Sequence, residues 1–381
     1  MKLLIAGGGT GGHLYPGIAI AETFLAKSSE NQILFVGTKQ GIETRILPKL
    51  KFPLRFISIQ GWAGKPWVKK IETLGLVFIS FFQSLWILFQ FKPDVVLGIG
   101  GYASFPMLLA AWFMKKKTVI QEQNRYPGVA NKILARLVKK IFSSFEDSLK
   151  YFPVDKTIVT GNPIRSFAQS EALQGSHSER EARNTSPDAK FTVFIFGGSQ
   201  GAHSLNRAML DALAYLSDIK PQIHIIHQVG SKDLSWVQSA YFQHQWEAEI
   251  YDFIYDMGSA YVRADYVICR SGATSVAELS ALRKACLFVP FPYATHNHQE
   301  ENARLLEQKG AAKILLDWQL NGTEIAKEIK WAFNSPRELE EMRKKITEFA
   351  KPYAAKAIVD ELLRYNVDEN GPSLLGPKKD R

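Results

Sequence analysis

The stretch Gly7-Gly8-Gly9-Thr10-Gly11-Gly12-His13 follows the apolar run Leu3-Leu4-Ile5-Ala6 and precedes a helical pattern that opens near Pro16. A strand, a glycine turn and a helix in that order form the opening unit of a doubly wound α/β sheet. The turn lets backbone pass close to a ligand, and the free N–H groups at the helix start, on the positive end of its dipole, favour negative or electron-rich atoms. The device returns at Gly197-Gly198-Ser199-Gln200-Gly201-Ala202, after the strand-like Phe191 to Phe196. Two such turns predict two similar domains facing one cleft.

Gly7, Gly9 and Gly12 satisfy G-x-G-x-x-G, a weak sign of a dinucleotide site by itself. A ribose-binding acid belongs just after the second strand, about 20 residues beyond the glycines. Here Ile33 to Val36 runs instead into Gly37-Thr38-Lys39, which weakens an NAD reading while Lys39 leaves NADP open. His13, at the helix start, can present an imidazole to the cleft as an acid or base, or simply bond local backbone.

With 381 residues and 46% hydrophobic content, the chain can fill two cores. Cys269 and Cys286 are its only cysteines and lie in apolar runs, so neither a disulfide framework nor a zinc site is expected, and a reducing compartment fits. The five-residue apolar start does not read as a signal peptide. His296 and His298, two apart, lack zinc-ligand spacing.

The net charge is 47 − 37 = +10. Lysines cluster at Lys65, Lys69, Lys70, Lys92, Lys115 to Lys117, Lys139 and Lys140, around the eighteen-residue apolar segment Leu74 to Phe91. That length touches the lower limit for a membrane span. Thr73, Ser80, Gln83, Ser84 and Gln90 form a weakly polar stripe on it, and a span would put the two glycine turns on opposite sides of the bilayer. The segment therefore reads as a helix lying on an anionic surface, its Phe, Trp and Leu side chains in the interface. A buried crossover helix is the plainer alternative.

Strands are expected near 2–6, 32–36, 54–57, 94–97, 118–121 and 139–143, then near 191–196, 223–228, 249–253, 265–268, 286–290 and 312–315, with helices between. Gln169 to Lys190 reads as a linker or surface loop, Glu338 to Tyr365 as helical, and Asn366 to Arg381 as a frayed tail. After the strand near 265–268, Arg270-Ser271-Gly272-Ala273-Thr274 turns into a helix that carries Glu278. That carboxylate can accept from vicinal ribose hydroxyls, and Ser271 to Thr274 can donate to phosphate. An acid near a helix start is also favoured by the dipole alone.

These motifs together resemble the MurG family of glycosyltransferases, glycosyltransferase family 28. The resemblance covers residues 1 to about 365 and runs through GGGTGGHLYPG at 7–17, GIGGYASFP at 98–106, EQN at 122–124, GNPIR at 161–165, GGSQGA at 197–202 and RSGATSVAEL at 270–279. It implies a GT-B fold of two Rossmann-like domains: an acceptor and membrane domain over 1–164, a UDP-sugar domain over 165–345, and a helix over 346–365 returning to the first, followed by a tail over 366–381. It further implies inverting transfer of N-acetylglucosamine from UDP-N-acetylglucosamine to lipid I, an undecaprenyl-linked acceptor, by a peripheral protein on the cytoplasmic side of the membrane. The partners implied are that sugar nucleotide, that lipid and an anionic membrane surface, with no nucleic acid, metal or cofactor.

By position, His13 is the implied base. Thr10, Gly11 and Gly12 are implied substrate contacts, with Asn124 nearby in the cleft, Phe253 and Ile254 at uracil, and Glu278 at ribose. Arg165, Ser199, Gln200, Ser271, Gly272, Ala273 and Thr274 lie around the diphosphate, and Gln299 at the sugar. Two positions depart from the family pattern: Gln121 stands where many members have histidine, and Glu300 where many have glutamine. An NAD(P)-dependent oxidoreductase and a non-catalytic membrane-bound nucleotide sensor are the rival readings.

Overall fold

The computed structural model describes residues 1–60, 67–174 and 190–368. The first sheet contains β1 (Lys2–Ala6), β2 (Gln32–Gly37), β3 (Leu54–Phe56), β4 (Val95–Gly98), β5 (Lys117–Glu122), β6 (Lys140–Ser143) and β7 (Thr157–Val159), in the order β3-β2-β1-β4-β5-β6-β7. The second contains β8 (Phe191–Phe196), β9 (Ile223–Gln228), β10 (Ala248–Tyr251), β11 (Tyr266–Cys269), β12 (Cys286–Phe288) and β13 (Lys313–Ile314), in the order β10-β9-β8-β11-β12-β13. Every strand pair is parallel. Both sheets thus have the doubly wound order, with its reversal beside the strand that ends in a glycine turn, where this architecture binds ligands. The fully buried Leu3, Leu4, Ile5 and Ala6, and Val193 to Ile195, show why these runs are apolar without alternation: helices cover both sheet faces.

In the first domain the helices are α1 (Gly11–Lys27), α2 (Glu43–Ile46), α3 (Trp67–Phe91), α4 (Ser104–Phe113) and α5 (Val129–Leu134). After α6 (Ser166–Gln174) come α7 (His203–Ala212), α8 (Leu234–Gln243), α9 (Met257–Arg263), α10 (Ala273–Ala281), α11 (His298–Glu307), α12 (Gly322–Asn334), α13 (Pro336–Ile346) and α14 (Ala354–Asp368). The segment expected as a loop from Gln169 begins inside α6, while 175–189 and the tail 369–381 lie outside the described residues.

The segment expected as helical over Glu338 to Tyr365 forms two helices, and the one expected to return to the first domain from 346 begins at Ala354. Pro352, which lacks an N–H and restricts the residue before it, lies between them. α13 buries Leu339 and Met342 in the second domain, whereas α14 buries Ile358, Val359 and Leu362 among Leu3, Ile5, Leu14 and Ile18 of the first. Lys27 pairs with Asp360 at 2.6 Å, Lys140 with Glu361, and Lys117 donates to the Tyr365 carbonyl at 3.1 Å. Lys117 and Lys140, expected among the membrane lysines, therefore hold the C-terminal helix instead.

α3 presents Phe78, Phe82, Trp86 and Phe89 to solvent and buries Ser80, Ser84, Ile87 and Leu88. The polar stripe expected on this helix divides in two. Ser80 and Ser84 turn inward, their hydroxyls donating to the Val77 and Ser80 carbonyls, while Gln83 accepts from Ser58 N and Gln90 accepts from Arg55. Small inward residues let α4 pack closely; Phe81 and Leu85 also join that core rather than the exposed face. The exposed apolar surface continues onto α4 through Trp112 and Phe113. No helix among the described residues is long and apolar enough to cross a membrane.

Candidate active site

The β1 and β4 turns touch. Gly7 adopts φ +141°, and a Cβ on it would stand 2.2 Å from the Gly100 carbonyl oxygen, so a side chain here would force the turns apart. In the second domain the β8 turn is packed as tightly, but against the end of β9: a Cβ on Gly201, at φ +77°, would stand 2.0 Å from the Val229 oxygen. α1 and α7 both start at these turns without an acidic residue in their first turn, so their N-terminal N–H groups and dipoles are not offset from within the helix.

Thr10, Gly11 and Gly12 lead into His13, whose Nδ1 lies 2.8 Å from Gln123 Oε1. Gln123 and Asn124 follow β5. The buried Glu122 carboxylate organises this loop by accepting from Asn124 N at 3.0 Å, Gly128 N at 3.1 Å and Asn131 Nδ2 at 2.8 Å. A second buried carboxylate, Glu43, accepts from Gly9 N and Thr38 N, each at 2.8 Å, and so ties the glycine turn to the end of β2. Gln121, the first departure, donates from Nε2 to Ser144 Oγ at 3.2 Å and Asn162 Oδ1 at 3.3 Å.

The two domains meet at the starts of α1 and α10: Thr274 Oγ1 donates to the Gly12 carbonyl at 3.2 Å. The Ser271 hydroxyl donates to the Gln299 carbonyl at 2.8 Å. Both hydroxyls expected to face phosphate are thus engaged with backbone, which leaves the N–H groups at the α10 start, with Gly272 as N-cap residue before Ala273, as the anion donors of this turn. Asn302, fully buried on α11, accepts from Arg125 N at 3.2 Å and donates to the Ser271 carbonyl at 3.4 Å. Arg125 also pairs with Glu301 at 2.9 Å across the domains and with Asp147 at 2.7 Å.

Glu278 is fully buried and takes two 2.6 Å bonds from Arg165. The ribose acceptor and the phosphate cation expected from the sequence therefore bind each other. Burial alone would lower the Arg165 pKa, but the Glu278 carboxylate raises it above the usual guanidinium range. Tyr15 of α1 and Phe167 flank the guanidinium at 4.5 and 4.9 Å. Burial raises the Tyr15 and Tyr261 hydroxyl pKa values, so both stay neutral, and the Tyr261 hydroxyl donates to Glu278 at 3.4 Å.

The expected uracil contacts separate. The Phe253 ring packs against the first domain's core with Arg45 4.3 Å above it, whereas Ile254 packs in the second. Gln299 Oε1 accepts from Phe291 N at 3.0 Å, and Glu300, the second departure, pairs with Arg304 at 3.0 Å. Ser199 is half-buried and Gln200 exposed on the β8 turn. Among the described residues no group of three His, Cys, Asp or Glu side chains converges as a metal site.

The sequence profile of the glycosyltransferase family 28 N-terminal domain matches residues 3–143, and that of the family's C-terminal domain matches residues 192–358. The chain belongs to glycosyltransferase family 28. A family 28 relative from Thermodesulfovibrio yellowstonii, named UDP-N-acetylglucosamine--N-acetylmuramyl-(pentapeptide) pyrophosphoryl-undecaprenol N-acetylglucosamine transferase, is 44% identical over 360 residues, covering 94% of this chain and 97% of its own. One of the same name from Myxococcus xanthus is 43% identical, covering 98% and 95%. The crystal structure of Acinetobacter baumannii MurG is 29% identical with a TM-score of 0.71, covering 95% of this chain and 99% of that one. A Neisseria meningitidis UDP-GlcNAc 2-epimerase structure, 17% identical with a TM-score of 0.64 and coverage of 96% and 100%, shares the fold alone. The oxidoreductase reading finds no support, since the first acid after β2, Glu43, is turned onto backbone N–H groups, and the names of the family 28 relatives, all of transferases, lend none to a sensor.

Proposed function

We propose that this family 28 enzyme transfers N-acetylglucosamine from UDP-N-acetylglucosamine to the 4-OH of the N-acetylmuramoyl-pentapeptide of undecaprenyl-pyrophosphate-linked lipid I, with inversion. The observation that carries the reading is the Thr274 to Gly12 hydrogen bond, which sets the start of α1, and His13 with it, against the turn where α10 begins. The substrate identities rest on the near full-length relationship to enzymes that carry them in their names.

His13 removes the proton as the acceptor oxygen attacks C1 from the face opposite UDP; a positioned base contributes about 10²- to 10⁴-fold. The bond from C1 to the diphosphate oxygen breaks, and its electron pair leaves on UDP. Backbone N–H groups at the starts of α7 and α10, with Arg165 released from Glu278, hold that charge; Glu278 in turn accepts from the ribose. Asn124 orients the acceptor and Gln299 the sugar.

The exposed Phe78, Phe82, Trp86, Phe89, Trp112 and Phe113, beside exposed Lys92 and Lys115, seat the first domain on the cytoplasmic face of an anionic membrane, as a lipid-linked acceptor requires. The test is release of UDP from UDP-N-acetylglucosamine with a short-chain lipid I analogue. Release that depends on the acceptor is expected; none with this acceptor, or release only by hydrolysis, would contradict the reading.

A further inference from the structure

We propose that Gln123 is a positioning residue that fixes which ring nitrogen of His13 carries the proton, leaving Nε2 as the basic atom; this rests on the reading of His13 as the base. Gln123 is 1% exposed, so its carboxamide is held by protein groups. Its Nε2 faces the Ile99 carbonyl at 2.9 Å, the Gln121 carbonyl at 3.3 Å and the Gln121 Oε1. All three are acceptors, so the amide nitrogen lies on that side and the amide oxygen lies toward His13. The orientation of Gln121 is fixed the same way, because its own Nε2 faces the Glu122 carbonyl, Ser144 Oγ and Asn162 Oδ1.

An amide oxygen can only accept. The 2.8 Å contact between Gln123 Oε1 and His13 Nδ1 is therefore a hydrogen bond only when Nδ1 carries a proton. In the neutral ring the lone pair then sits on Nε2, which has no hydrogen-bond partner among the described residues. The ring is also confined: a Cβ on Gly100 would stand 2.7 Å from Nδ1. When the acceptor hydroxyl gives its proton to Nε2, both nitrogens become donors and the Nδ1 to Gln123 bond persists. Base action therefore requires no rearrangement of this relay.

The full chain labelled with ¹⁵N-histidine tests this, the His13 signals being assigned by their loss in His13→Ala. In wild type, neutral His13 is expected to show Nδ1 protonated and Nε2 unprotonated; Nε2 protonated overturns the proposal. Gln123→Met, similar in size but without the acceptor, is expected to move the proton toward Nε2 and lower kcat by about ten-fold or more, as a wrong tautomer does elsewhere. KM for UDP-N-acetylglucosamine should stay unchanged. An unshifted tautomer or a wild-type kcat in a folded Gln123→Met overturns the role of Gln123. A full rate in His13→Ala instead removes the base reading itself, whatever the tautomer.

Discussion

Arg165 and Glu278, 113 residues apart, form a bidentate ion pair with both bonds at 2.6 Å, closed off by Tyr15 from one domain and Phe167 and Tyr261 from the other. On the proposed reading, a nucleotide that took the carboxylate through its ribose would free the guanidinium for its phosphates, and that exchange would couple recognition of the two parts of UDP.

Glu278→Ala should therefore weaken UDP binding by about 1.5–3 kcal/mol, the scale of hydrogen bonds to a charged group. It should also destabilise the fold by about 3–5 kcal/mol, because the Arg165 charge is left without its partner in a nearly closed site. Urea unfolding and calorimetry separate the two effects. Arg165→Met combined with Glu278→Leu should regain most of the stability and none of the UDP affinity. Glu278→Ala with wild-type stability and UDP affinity would show that the pair matters to neither.

Glu43 holds the glycine turn of the first domain, the acceptor side on the proposed reading. Glu43→Gln keeps an oxygen for Thr38 but sets an amide nitrogen against Gly9 N, so the turn that carries His13 must shift. A displacement near 1 Å costs about 10²-fold in rate. The expected result is a lower kcat with unchanged UDP affinity. Equal losses in both would place the effect on the fold as a whole.

The exposed apolar face of α3 and α4, proposed as the membrane contact, can be varied separately from the core beneath it. Phe82→Ser with Trp86→Ser and Phe113→Ser should leave the fold intact, since all three are exposed, and should lower affinity for anionic vesicles. High salt should release only part of the wild-type protein, because lysine attraction is screened and apolar contact is not. By contrast, Leu88→Ala, in the core, should cost about 2–5 kcal/mol of stability. A well-folded triple variant with wild-type vesicle affinity would remove this face as the membrane contact.

His227 makes the fold acid-sensitive. Burial pushes its pKa from 6.5 to about 3, so it stays neutral between Tyr241 and Asn206 while the unfolded chain binds a proton below pH 6.5. Stability from this group is thus full above pH 6.5 and is lost as pH falls toward 3, by about 2 kcal/mol at pH 5. Urea midpoints at pH 7 and pH 5 should show a smaller acid loss in His227→Gln than in wild type. Equal acid losses in the two proteins would assign the sensitivity to other groups.

Much of the fold was legible because its central strands are unbroken apolar runs joined to glycine turns, as at Leu3 to Gly12 and Val193 to Gly201. The edge strand Thr157–Val159 went unread: it is three residues long and not fully buried, so neither apolar continuity nor alternation marks it. In the site, residues inside turn motifs were readable, but Gln123 and Glu43 were missed as functional. Their partners lie 110 and 34 residues away, and only the folded chain brings them together. The mutual neutralisation of Arg165 and Glu278 was hidden for the same reason: each residue taken alone looks like a ligand contact.

The most direct test of the transfer itself is the anomeric configuration of the product formed from UDP-N-acetylglucosamine and a short-chain lipid I analogue, read from its H1–H2 coupling by NMR. Attack from the face opposite UDP predicts a β-linked disaccharide at the 4-OH of the muramoyl sugar, shown by a large diaxial coupling. An α-linked product, or no disaccharide, would contradict inverting transfer to this acceptor.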